Sequence, residues 1–431
     1  MQEIKDNNAH RCINLRKICA PDLLNSSAKM RFLAIKPMNE SREKMSVESS
    51  ANQNLTNEKV AILGARGYSG AELARLSLRH PKMELAGLFA TQNFEAKDLL
   101  PELAGSIATS SANAAINGAS AVYGQSMVEF GEILNSAKTP FSTVFLATPA
   151  EVSLEWAPKI LKKGIRVIDV SGAFRLKGQS EADSKALFAK WYSINHTDLG
   201  LAQEADYGLV PLAHGVPKSG LVANPGCYAT ATSLALIPLY KAGLVRLDTV
   251  SIDAKSGTTG AGKKAEERLL HAEVDGGCLP YRIGRHQHEP EISEAVAHFG
   301  LGSRKKSSDV SFSFVPHLLP VRRGIIVSVH ARLNPGVQEK DVSESFESMY
   351  GAYPLVRLAS LNKGETSDLV LRRVVGSART VIAWHVRGDQ LIVFSLIDNL
   401  LKGAASQAVE NFNRFCGLNV ETGLSEREGV L

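Results

Sequence analysis

The run Asn224-Pro-Gly-Cys227-Tyr-Ala-Thr-Ala-Thr-Ser-Leu-Ala-Leu-Ile sets a thiol directly after a Pro-Gly turn, at the head of a segment that reads as a helix. Free N–H groups at a helix N-terminus favour the thiolate, so the pKa of Cys227 is expected to fall. The same groups can hold the oxyanion formed when a thiolate attacks a carbonyl. A buried structural thiol is the competing reading, and the local sequence leaves both open. Downstream, Arg285-His286-Gln-His288-Glu-Pro-Glu291 gathers two imidazoles and two carboxylates in seven residues. In an extended segment His286 and His288 face the same way. Paired histidines also suit zinc, but no Cys-x-x-Cys or His-Glu-x-x-His spacing accompanies them, so no metal site is expected.

A second constellation is Gly64-Ala-Arg-Gly67-Tyr-Ser-Gly70, between an apolar run and a helical period. The first glycine permits a sharp turn, the second lets the backbone approach a pyrophosphate, and the third lets helix and strand pack closely. The helix start then offers N–H groups to the phosphates. An acidic residue after the second strand would bind the ribose 2′-OH of NAD. Phe89-Ala-Thr-Gln-Asn93 supplies none, and Arg66 lies in the loop, which favours NADP. A base near a thiol, with a nicotinamide at hand, implies covalent redox chemistry through a thioester.

These residues need a scaffold that brings them together. From Val60 the pattern alternates between strand and helix: Val60–Leu63, a helix over Ala71–Arg79 stopped by Pro81, then Glu84–Phe89. Strands at Thr143–Ala147 and Arg166–Val170 follow, with a helix over Ser153–Lys163 between them. Strand–helix–strand repetition means right-handed crossovers and a parallel, doubly wound sheet. Beyond Asn224 longer strands are expected at Val310–Val315, Ile325–Leu333, Val381–Val386 and Leu391–Ile397, as in an α+β domain with a mixed sheet. The fold class is therefore α/β: a Rossmann-type dinucleotide-binding domain over 59–226, completed by a C-terminal helix over 399–431, and an α+β catalytic domain over 227–398. On that helix Leu400, Leu401, Ala404, Ala405 and Ala408 are spaced for one apolar face.

Composition narrows the classes. Of 431 residues 44% are apolar and 22% charged, which excludes wholesale disorder. No apolar stretch is long enough to span a membrane. Five cysteines in this length do not make a disulfide scaffold. Residues 1–44 hold nine basic and five acidic side chains, whereas 45–431 hold 40 and 39, so the body is nearly neutral and advertises no nucleic-acid partner. Residues 1–58 lack glycine and end in a polar run from Ser46, and are expected to be a disordered leader. Arg and Ser recur there as in plastid or mitochondrial transit peptides, but five acidic residues before Met45 argue against one. A cytoplasmic location is expected, with Met45 as an alternative start.

Several motifs in order give a resemblance that covers Val60 to about Phe415. They are the Gly64–Gly70 loop, Asp169-Val-Ser171-Gly-Ala-Phe174-Arg175, Tyr207-Gly-Leu, Asn224-Pro-Gly-Cys227, Lys255-Ser-Gly257, His286-Gln-His288-Glu-Pro-Glu291, Pro316-His-Leu-Leu-Pro320 and Asp398-Asn-Leu-Leu-Lys402. The chain resembles the semialdehyde dehydrogenase family, and within it the N-acetyl-γ-glutamyl-phosphate reductases of arginine biosynthesis. The resemblance implies Cys227 as nucleophile and His286 as acid/base group. It implies substrate contacts at Ser256, Tyr281, His288 and Glu291, and NADP(H) contacts at Gly64, Arg66, Gly67, Tyr68, Ser69, Gly70, Thr91, Ser171 and Asn399. Asn399 also suits a helix N-cap. A small acyl phosphate would be the substrate, and a homotetramer or homodimer the assembly. The chain departs from the family at Arg66 (usually Ser), at Thr91-Gln92 (often Ser-Arg), at Ala147-Thr-Pro-Ala150 (a histidine missing) and at Tyr207-Gly-Leu-Val-Pro (a carboxylate missing). The alternatives are a sister reductase of aspartate-semialdehyde or aminoadipate type, and an NADP-sensing regulator without catalysis.

Overall fold

The computed structural model describes residues 57–100, 124–302, 306–363 and 369–424. The expected leader lies outside these except for its last two residues, and Glu58 already opens the first strand. All described residues fall in one unit, Asn54–Leu431. Among them no helix is long and apolar enough to cross a membrane.

The first sheet has seven strands: β1 (Glu58–Leu63), β2 (Met83–Ala90), β3 (Gly124–Ser126), β4 (Thr143–Leu146), β5 (Arg166–Asp169), β6 (Asp206–Tyr207) and β7 (Leu221–Ala223). Their order is β3-β2-β1-β4-β5-β7-β6 and every pairing is parallel. Val60–Leu63 are wholly buried, as a central strand covered on both faces requires. The chain runs outward one way through β2 and the other way through β4. The carboxyl ends of β1 and β4 therefore flank the switch point, where such sheets bind ligands.

The second sheet contains β8 (Ser251–Gly257), β9 (Leu279–Pro280), β10 (Ser313–Leu319), β11 (Ile325–Arg332), β12 (Val356–Ser360), β13 (Thr380–Arg387) and β14 (Gln390–Ile397). Its order is β12-β13-β14-β11-β8-β10-β9, with parallel and antiparallel pairs mixed. Gly388, at φ +61°, opens the two-residue β13–β14 turn, where a positive φ matches the sheet twist. The strand expected at Val310–Val315 begins instead at Ser313 and runs through Pro316. Helices Cys227–Lys241 and Glu339–Tyr350 cover one face. Phe346 stacks on Trp384 at 5.0 Å, and the Tyr350 hydroxyl donates to Leu234 O at 2.9 Å.

The C-terminal segment returns to the first sheet, where Leu401, Ala405, Ala408, Val409 and Phe412 join the core of Val60, Ile62 and Leu73. It differs from the expected helix in two ways. A π turn over Leu401–Ala405 precedes a helix that spans only Ser406–Phe415. The segment is also buried on all sides instead of along one apolar face: Lys402 Nζ lies 2.8 Å from both Glu410 carboxylate oxygens and from Val210 O.

Candidate active site

The glycine loop is built as a cradle. Gly64, at φ +81°, has no room for a Cβ because Ala147 O, at the end of β4, presses against it. At Gly70 a Cβ would collide with Gly64 O and come within 2.8 Å of the Ala65 Cα. The helix Tyr68–Arg79 begins three residues earlier than its apolar spacing suggests, and no side chain caps it. Its first-turn N–H groups, at Tyr68, Ser69 and Gly70, have no preceding turn to bond to and are left for an anion. Arg66 is exposed, with its guanidinium 6.0 Å from the Phe94 ring beyond the end of β2. Thr91 is exposed nearby in sequence, with no contact to the loop shown. These features fit the diphosphate and the extra phosphate of NADP(H).

Cys227 is the first residue of the helix Cys227–Lys241, after an extended Gly226 and with no side-chain cap. The expected fall in its pKa does not occur. The residue as a whole is only partly buried, but crowding around the sulfur pushes the thiol up to about 11; backbone N–H groups and Arg175 oppose this and Glu291 adds to it. Burial outweighs the helix terminus here, so the resting enzyme holds a thiol that needs a base.

His286 and His288 do come together, though not as an extended pair. His288 opens the helix His288–Val296, and the rings meet edge to face with centroids 4.8 Å apart. Tyr228, Tyr281 and Phe314 wall His286 in, with ring centroids at 5.5, 5.6 and 5.6 Å. Burial, then the neighbouring His288 and Arg282, push His286 down to about 2; burial, then Arg175 and Arg282, push His288 down to about 3. Both imidazoles are neutral. His286 Nδ1 accepts the His288 N–H at 3.2 Å, which assigns its proton to Nε2. The Nδ1 atom of His288 is buried without a hydrogen-bond partner in the structure. Burial also pushes the Tyr281 hydroxyl up to about 12, so it stays protonated.

Glu291 is fully buried and does not face open solvent: Oε1 accepts the Gly226 N–H at 2.8 Å and the Tyr207 O–H at 2.9 Å, while Oε2 lies 3.5 Å from Arg175 Nη1. Ser256, buried at the end of β8, sits 3.2 Å from where a Cβ on Gly260 would be. Asn399 accepts the Gly324 N–H at 2.8 Å and donates to Thr259 Oγ1 at 3.0 Å, tying the loops after β8 and β10 to the C-terminal segment. It is not the N-cap. That position is Leu400, while the Asp398 carboxylate accepts the Leu400 N–H at 2.8 Å and the Leu401 N–H at 3.1 Å. Ser171 turns inward, donating to Asp169 at 2.8 Å, and no contact joins it to the glycine loop. Among the described residues no three His, Cys, Asp or Glu side chains group as a metal site.

Sequence reasoning missed three supports. Arg175 donates to Asn224 O at 2.8 Å and to Val170 O at 2.7 Å; its signal was a cation inside the apolar run Ala173-Phe-Arg-Leu176. Arg323 joins Glu72 of the glycine-loop helix at 3.0 Å to Asp398 at 3.0 Å. Gly403 lies against Cys227, where a Cβ would come within 2.7 Å of the Cys227 Cβ. Nothing in the spacing of Leu400–Ala408 marks that last contact.

Comparison with known proteins gives the family and the fold. A family model described as the semialdehyde dehydrogenase NAD-binding domain matches residues 59–214, and one described as the semialdehyde dehydrogenase dimerisation domain matches 227–399. The N-acetyl-gamma-glutamyl-phosphate reductase of Geobacillus stearothermophilus is 35% identical over 370 residues, 85% of this chain and 97% of that protein. The enzyme of the same name from Afipia carboxidovorans is 36% identical over 376 residues, 86% and 97% of the two chains. Among solved structures, aspartate semialdehyde dehydrogenase II of Vibrio cholerae matches with a TM-score of 0.59 at 17% identity, over 84% of this chain and 99% of that one. The NADP complex of aspartate semialdehyde dehydrogenase from Candida albicans matches with 0.55 at 14%, over 85% and 100%. These two show a shared fold. With matches over both sheets and relatives above 30% identity along nearly their whole length, the chain belongs to the semialdehyde dehydrogenase family.

Proposed function

We propose that this protein reduces N-acetylglutamyl 5-phosphate to N-acetylglutamate 5-semialdehyde and phosphate, with NADPH as reductant, in arginine biosynthesis. The observation that carries the chemistry is Cys227 at an uncapped helix N-terminus, between Gly226, against which the His288 ring packs, and Tyr228, whose ring meets both neutral imidazoles edge to face, in the same unit as a glycine cradle. The substrate comes from the names of the relatives that match nearly end to end. In this reading residues 59–226, with the C-terminal segment, carry the cofactor, and 227–398 carry the chemistry. The Gly64–Gly70 loop would hold the diphosphate of NADPH and Arg66 its 2′-phosphate.

The thiol first gives its proton to the imidazole pair. The thiolate attacks the acyl carbon, the carbon–oxygen bond to phosphate breaks, and phosphate leaves a thioester on Cys227. N–H groups at the start of the Cys227–Lys241 helix are placed for the oxyanion. NADPH, when bound, supplies the hydride that reduces the thioester carbonyl. His286 Nε2–H donates a hydrogen bond to the hemithioacetal oxyanion and keeps its proton. The oxyanion re-forms the carbonyl as the carbon–sulfur bond breaks, releasing the aldehyde and restoring Cys227 as the thiolate. Replacing Cys227 by Ser should abolish NADPH oxidation by the acyl phosphate while NADPH affinity, read by fluorescence titration, is kept; wild-type turnover in that variant rules the thioester out. Run in reverse with phosphate and NADP, N-acetylglutamate semialdehyde should be preferred over aspartate semialdehyde. The opposite preference would establish the sister activity.

We assign a second copy of the chain to the open face of the second sheet, where Val315, Leu319, Ile326, Ile392 and Phe394 remain half-buried opposite the helices. A light-scattering mass of one chain at micromolar concentration is the result against it. We place the reaction in the cytoplasm.

A further inference from the structure

The turn before the nucleophile is gripped from both ends by a buried pair of opposite charges. Arg175 holds the carbonyl of Asn224, and Glu291 holds the amide of Gly226. Their side chains are 6% and 0% exposed, and they stand 3.5 Å apart. Gly226 has to be bare: a Cβ there would run into the His288 ring and come within 2.7 Å of Arg175 Nη1. Tyr207 completes Oε1, while Arg175 at 3.5 Å and His288 Nε2 at 4.0 Å flank Oε2.

We propose that Glu291 is a positioning residue that acts on the reaction through the Gly226–Cys227 turn, with Arg175 as its counter-charge, and not through contact with the substrate. This rests on the thioester reading above and replaces the substrate contact that the resemblance implies for Glu291. The groups around the thiol are Arg175 on the loop after β5, Tyr228 on its own helix, Tyr281, His286, His288 and Glu291 from the segment after β9, and the backbone of Gly403 from the C-terminal π turn. Of these, Arg175 favours the thiolate and Glu291 opposes it. The pair thus holds the sulfur in place while nearly cancelling in charge.

Glu291→Gln in the full-length chain separates the two possibilities. With Arg175 left uncompensated, the pH midpoint for iodoacetamide alkylation of Cys227, followed by peptide mass spectrometry, should fall by about one unit. The kcat should fall about 10²-fold as the turn loosens, with KM for the acyl phosphate little changed. A large rise in KM at unchanged kcat, or an alkylation midpoint that does not move, overturns the proposal. Glu291→Asp keeps the charge but shortens the reach to Gly226. It should lower kcat without lowering the midpoint, and it decides the question if the Gln variant does not fold. Alkylation uses no substrate, so it remains readable even if the reaction assigned above is wrong.

Discussion

Two influences compete at the sulfur of Cys227. The helix N-terminus and Arg175 favour the thiolate, crowding favours the thiol, and crowding wins, leaving the group near 11. A buried acid needs a base of matching accessibility, and the neutral His286–His288 pair is the one at hand. The two imidazoles have different environments. His286 has its Nδ1 occupied and is set to donate from Nε2, whereas His288 lies against Gly226 beside Arg175. Replacing His286 by Asn should therefore slow turnover by about 10²- to 10⁴-fold. If steady-state assays show the larger loss for His288→Asn instead, the proton transfer belongs to His288.

At the scale of elements, the C-terminal segment does more than cover a sheet. Its π turn is closed by Gly403 N–H to Asp398 O at 2.9 Å and Ala405 N–H to Leu400 O at 2.8 Å, each spanning five residues. Widening of this kind is common where a helix must meet a functional group. Here it lays the bare backbone of Gly403 on Cys227 while Asp398 anchors the start through Arg323 and the Gly376 N–H at 2.8 Å. Gly403→Ala should move Cys227 or the turn and, in the reaction proposed above, reduce kcat by about 10²-fold. Retention of full kcat in a folded Ala variant would show that the contact is slack. The periodicity of Leu400–Ala408 suggests one apolar stripe, yet the segment packs between the helices Tyr68–Arg79 and Cys227–Lys241 and is buried all round. Lys402, Gln407 and Glu410 consequently find partners inside the protein, as buried polar groups must.

Across the described residues, four buried histidines set a pH limit. Burial is the first cause that lowers His80, His196, His286 and His288. Each binds its proton more weakly folded than unfolded, so stability is complete above the unfolded value of about 6.5 and is lost as pH falls through it. The loss reaches up to about 1.4 kcal/mol per pH unit for each group. Asp169 and Glu410, which burial pushes up, act in the opposite sense from a lower starting point. The unfolding temperature should drop between pH 7 and 5.5, with a shallower slope in His288→Asn; a flat profile contradicts the buried neutral histidines.

The parallel sheet, the glycine cradle and the place of Cys227 at the head of a helix were legible in the chain, because strand periodicity, glycine geometry and a turn-then-helix signal are all local. Short strands such as β6 and β9 were not, since two residues carry no period. The proton affinity of Cys227, the inward turn of Ser171, the employment of Glu291 inside the cysteine turn and the contact of Gly403 with the thiol were decided only by tertiary structure. Apart from Ser171, whose partner Asp169 stands two residues away, each depends on groups tens to hundreds of residues apart in sequence. Burial and charge act through space, and spacing along the chain does not encode which distant side chains will close around an atom.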